Sequence, residues 1–63
     1  MNTAINIRYL LTIKEAAAYF HIGEKKLRSL AREHGARIAV MDGNRTLIKR
    51  IGMEAFISEA EVL

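Results

Sequence analysis

The sequence predicts a small α+β domain in which two short helices precede a β-hairpin and a third helix follows. Three observations predict it. Apolar residues recur with helical spacing in two segments joined only by His21 to Gly23. The period then shortens to that of strands on either side of Asp42-Gly43-Asn44, and helical spacing returns from Met53.

The elements follow in chain order. Ile5, Ile7, Tyr9 and Leu11 alternate, so residues 1–11 read as a short strand or an extended arm with one apolar side. Thr12 and Glu15 stand at capping-box spacing and open a helix over Ile13 to Phe20. Ile13, Ala16, Ala17 and Phe20 form its apolar face, and the small residues Ala16 to Ala18 allow another helix to come close. A second helix runs from Glu24 to His34, with Leu27, Leu30, Ala31 and His34 inward and Gly35 as its C-cap. Ile38, Val40 and Met41 begin a hairpin, whose turn is Asp42-Gly43-Asn44. Thr46 and Ile48 share one side of the returning strand, Leu47 and Lys49 the other. A third helix over Met53 to Ala60 packs Met53, Phe56, Ile57 and Ala60 on the core, with Gly52 at its entry. Two helices joined by a glycine-containing connection outline a helix-turn-helix. A hairpin directly after the second helix makes it winged.

Length and composition bound what such a chain does. With 63 residues it forms one domain, which buries only about 60% of its unfolded surface. There is no cysteine, so neither a disulfide framework nor a thiolate zinc site is available, and His21 and His34 alone make no metal site. No metal and no other cofactor is expected. No apolar run approaches a bilayer span and no secretory signal is read, so the expected compartment is the cytoplasm. His21 is expected to serve the turn locally, His34 to balance the end of the second helix, and Tyr19 to pack partly on the core with its hydroxyl as a second candidate for phosphate. Phosphate-loop and catalytic constellations are missing, and Glu54, Glu59 and Glu61 look solvated, so no enzyme is expected.

The net charge is +3, but its distribution says more. Between Glu24 and Arg50 lie eight basic residues against three acidic ones, whereas the stretch after Arg50 holds three acidic residues and no basic one. One positive face directed at a polyanion is the expectation.

On the second helix, Lys25, Arg28, Ser29 and Arg32 follow i, i+3, i+4, i+7 spacing and share the side opposite the apolar face, with Lys26 on the flank. Such a stripe alone equally suits a solvated helix. The hairpin adds Asn44 and Arg45 at its tip and Lys49 and Arg50 at its base, which favours double-stranded DNA as the partner. Arg28 and Arg32 suit base or phosphate recognition because the guanidinium fork matches both; Lys25 and Lys26 suit phosphate. Ser29 offers one hydrogen bond, Arg45 suits a narrow minor groove, and Lys49 suits phosphate. Arg50 is divided between a contact and a structural bond to backbone.

The segment LTIKEAAAYFHIGEKKLRSLARE, the turn DGNR and the following IKR resemble the excisionases of Gram-positive conjugative transposons and the broader excisionase-family DNA-binding domains, with their MerR-like winged-helix fold. The resemblance implies a recombination directionality factor: a protein that binds and bends the DNA at the ends of an integrated element and assists a tyrosine integrase without cutting DNA. It places the recognition surface on Lys25, Lys26, Arg28, Ser29 and Arg32, and the wing contacts on Asn44, Arg45 and Lys49. It leaves room for adjacent protomers on the DNA. Gly23 stands where the family's recognition helix usually has a hydroxyl cap, and the acidic ending EAEVL gives no expectation of a long tail for integrase contacts. The alternatives are a small transcriptional regulator of a mobile element and, in another class, a protein-interaction module meeting an acidic partner.

Overall fold

The computed structural model describes residues 8–63. Its elements run β1 (Leu10–Thr12), α1 (Ile13–Phe20), α2 (Glu24–His34), a 3₁₀ turn (Gly35–Arg37), β2 (Ala39–Asp42), β3 (Arg45–Lys49) and α3 (Arg50–Glu59). Ile5 and Ile7 lie outside the described residues. Within them the expected alternation breaks at Tyr9, which is exposed at a bend, whereas Leu11 is fully buried.

Local chemistry accounts for the helix boundaries. The Glu15 backbone N–H donates to the Thr12 hydroxyl at 3.1 Å, and the Thr12 N–H donates to the Glu15 carboxylate at 2.9 Å. This reciprocal pair satisfies two N–H groups that the start of α1 would otherwise leave open. His21 ends α1 in the left-handed region, with φ of 59°, and its N–H bonds back to the Ala17 carbonyl. The chain therefore turns sharply enough for Ile22 to enter the core before α2 begins. Gly35 ends α2 at φ of 55°, where a side chain would be strained.

The β2–β3 hairpin wing stands in a three-stranded sheet, in which β1 takes up the strand reading of residues 1–11. The sheet order is β1-β3-β2, antiparallel throughout, with β3 in the middle. Ile48 lies between Leu11 and Ala39, and Leu47 between Thr12 and Val40. Both Leu47 and Ile48 are buried although they point to opposite faces. Ile48 joins the helices in the main core, while Leu47 lies outside that cluster. A lone hairpin is marginal in water, and the third strand supplies what the wing needs to hold its shape.

Every helix and strand but not the 3₁₀ turn places at least one residue in the core, and Leu11, Leu27, Ile38, Ile48 and Met53 are its fully buried large side chains. Each contributes about 1.5–3 kcal/mol of hydrophobic stabilisation when buried. Of the inward positions expected on α2, Leu27 and Leu30 are buried, while Ala31 and His34 are half-buried. His34 lies against Phe56, ring centroids 4.5 Å apart.

The third helix begins at Arg50, earlier than its apolar spacing suggested, and places Gly52 inside the helix instead of at its entry. A β-carbon at Gly52 would collide with the backbone carbonyl oxygen of Arg37. Glycine is thus required by a close approach of α3 to the 3₁₀ turn, and no capping role is involved. In a helix interior, Gly→Ala ordinarily stabilises by about 1 kcal/mol. Gly52→Ala is expected to do the reverse, lowering stability by about 1–3 kcal/mol through overpacking. Urea unfolding of the two proteins measures this, and an unchanged or raised midpoint would contradict the close approach.

Candidate nucleic-acid interface

The candidate surface is built by α2 and the β2–β3 hairpin. Anchored through Leu27 and Leu30, α2 presents Lys25, Lys26, Arg28 and Arg32 to solvent, with Ser29 half-buried among them. Gly23 caps the helix without a side-chain hydrogen bond. The hairpin turns through Gly43 and Asn44, with positive φ at Gly43 alone, so Asp42 and Arg45 are already the last paired residues of their strands. This is the residue pattern of a type II′ turn, whose twist suits a two-residue hairpin.

Arg28 is the meeting point of helix and wing. On one side it borders a trough with Ala31 and Arg32 of α2 and with Met41 and Thr46 of the hairpin. On the other it borders a second depression with Lys14 and Glu24, facing Asn44 and Arg45 at the wing tip. The fold thereby joins Arg28, Arg32, Asn44 and Arg45 into one surface. Lys25, Lys26 and Ser29 lie along the same helix but border neither depression.

The ion pairs on this surface are loose. Arg28 lies 3.7 Å from Glu24, and Arg45 lies 3.1 Å from Asp42, with all four side chains largely exposed. Pairs of this kind are worth about 0–1 kcal/mol, so either arginine can exchange its carboxylate for a phosphate at little cost.

Other expected contacts are engaged within the protein. Lys49 donates to the Ala36 carbonyl at 2.6 Å, which ties the base of the wing to the segment after α2. Arg50 donates to the Arg8 carbonyl at 2.7 Å and pairs with Glu54 at 3.0 Å, so of its two readings the structural one holds. The Tyr19 hydroxyl donates to the same Glu54 carboxylate at 2.8 Å, which takes it out of reach as a phosphate ligand. Glu54 is accordingly a tie between α1 and α3, a correction to its reading as a solvated carboxylate. Glu59 likewise holds Arg37 at 2.6 Å. Among the described residues, no three His, Cys, Asp or Glu side chains gather in a group able to hold a metal ion, and no helix is long and apolar enough to cross a membrane.

Residues 10–61 match the helix-turn-helix domain family. The chain is also 49% identical over 57 residues to the excisionase from transposon Tn916 of Streptococcus agalactiae serotype V, a match covering 89% of this chain and 85% of that relative. This chain is an excisionase-family helix-turn-helix protein. The matched span runs from β1 to beyond α3, so the wing and the helix pair of this excisionase-family chain both lie inside it.

Sequence reasoning missed Lys14, which lines the second depression together with Arg28 and Arg45. A signal was present. Lysine in the first turn of a helix opposes the positive end of the helix dipole by about 0.3–1 kcal/mol, a local cost that an anionic partner would remove.

The two carboxylates that hold the helices around this surface make its stability sensitive to acid. The Thr12 backbone N–H, ahead of the Arg8 guanidinium, holds Glu15 below the usual value of 4.5. The Tyr19 hydroxyl, ahead of Arg50, does the same for Glu54. Depressed folded-state values mean that this stabilisation is present above pH 4.5 and is lost as pH falls below it through the folded-state values. Unfolding measured from pH 7 to pH 3 is therefore expected to show a declining acid limb, flatter in a Glu15→Gln/Glu54→Gln double variant. An equally steep limb in the variant would assign the acid sensitivity to other groups.

Proposed function

We propose that this protein is a sequence-specific DNA-binding excisionase, an architectural factor that bends the ends of an integrated element and assists a tyrosine integrase without cutting DNA itself. The observation that carries the reading is the continuity of the basic face of α2 with the wing tip through Arg28, in a chain 49% identical to a transposon excisionase.

The residues divide the work. The α2 face enters a major groove, where Arg28, Ser29 and Arg32 meet base edges or flanking phosphates. Lys25 and Lys26, in the first turn, contact phosphates and fix position. Asn44 and Arg45 reach the adjacent minor groove from the wing, with Lys14 reinforcing the positive field between the two. Lys49, held on the Ala36 carbonyl, supports the wing from its base and is not assigned to DNA.

Arg28→Ala is expected to cost about 1–3 kcal/mol on the specific site and to narrow the preference over a scrambled duplex. Arg45→Ala should instead weaken both duplexes and lower the slope of log affinity against log salt by about one, as one cation lodged between the phosphates of the minor groove is lost. Salt-titrated binding separates the two cases. Equal losses on both duplexes for Arg28→Ala would remove it from base recognition, and an unaffected Arg45→Ala would remove the wing.

The recombination role is tested by excision with the cognate integrase and attachment sites. Excision is expected to depend on the protein and to fail with Arg28→Ala. Unchanged excision in its absence would leave a DNA-binding protein without this role.

A further inference from the structure

The trough between α2 and the hairpin has a composition that base recognition does not explain. Ala39 and Ile48, paired across β2 and β3, belong to the core. The next pair on that same helix-facing side is Met41 and Thr46. Neither belongs to the core cluster, and Met41 is 63% exposed, with its sulfur accepting the Thr46 hydroxyl at 3.3 Å. Ala31, Ala36 and Ala39 continue this floor toward α2, and Arg28 and Arg32 stand along the rim, with no carboxylate among the lining residues. The site is thus an apolar strip edged by cations, on the face that the proposed function turns toward DNA.

We propose that this trough seats one sugar–phosphate strand of the duplex as it passes between the groove read by α2 and the groove reached by the wing, with Met41 packed on deoxyribose. The inference rests on the DNA-binding reading above and assigns a new contact within it. A DNA strand is the occupant whose surface matches: anionic phosphates recur along it with apolar sugar faces between them. Arg32 on the rim takes a phosphate and the floor takes the sugars, while Arg28 at the end of the trough stays with the bases. An unbranched thioether adapts to the uneven sugar surface better than a branched side chain. The same apolar floor disfavours ribose, whose 2′-hydroxyl would lose water there without gaining a partner. Met41 thereby selects deoxyribose and holds the strand in place, while it reads no base.

Oxidation by hydrogen peroxide, followed residue by residue with mass spectrometry, tests this on the intact protein. Met53 is fully buried and serves as the internal control. Saturation with a duplex carrying an attachment-site end of the element is expected to slow Met41 sulfoxide formation by about tenfold, as burial against DNA excludes the oxidant. Met41→Gln, at a largely exposed strand position where folding is retained, should weaken that duplex by about three- to tenfold, in line with the partial burial of one apolar side chain. It should also shrink the preference for deoxyribose over ribose at the sugars protected in a hydroxyl-radical footprint, whereas Met41→Leu keeps that preference.

Gel shifts run alongside distinguish the possible failures. A duplex that binds while Met41 oxidises at its free rate overturns this inference and leaves DNA binding standing. No binding to any duplex overturns both. Protection of Met41 by an acidic polypeptide such as poly-glutamate, but not by duplex, would reassign the trough to a protein partner and overturn the inference.

Discussion

The central position of β3 is the constraint on which the rest of the structure depends. It is hydrogen-bonded on both sides, to β1 from before the helices and to β2 from after them. Ile48, fully buried between Leu11 and Ala39, is where the two ends of the helix-turn-helix are brought to one place. The backbone bonds that extend this junction, from Lys49 to Ile38 at 2.8 Å and from Arg50 to Tyr9 at 2.8 Å, hold the start of α3 against the same strands. In so short a chain these links join the wing to the helices without a large core.

That arrangement explains the division among the cations. Basic residues near the β3–α3 junction are drawn into structural bonds: Lys49 on a carbonyl, and Arg50 on a carbonyl and a carboxylate. Those on the solvent face of α2 and at the wing tip carry at most loose surface pairs. Position relative to the junction, more than residue type, separates the two groups. The surface that results has Arg28 at its centre, because the tip of the hairpin shares a depression with Glu24 and Arg28 in the first half of α2.

Much of the fold was legible in the sequence because it is set locally. The bounds of α1 and α2 follow from the Thr12–Glu15 box, the glycines at 23 and 35, and apolar spacing that packing then respects. The turn followed from residues tolerant of positive φ. Less legible was α3, whose first turn, Arg50 to Gly52, lacks an apolar core residue and a capping side chain and so leaves no periodic mark. Ile22 escaped notice because it lies in a turn, where no period identifies a core residue.

What the sequence by itself determined was the helix pair, the hairpin, the basic stripe from Lys25 to Arg32 and membership of a DNA-binding family, since each depends on neighbours within a few residues. Only the tertiary structure decided that β1 completes the sheet, that Gly52 is demanded by the Arg37 carbonyl, that Tyr19 and Arg50 are committed to Glu54, and that Lys14 and Met41 face the same surface as Arg28. These are contacts between residues far apart in the chain, or between side chains whose direction depends on where another element packs. Spacing along a sequence records the period of an element, but not the neighbour it meets.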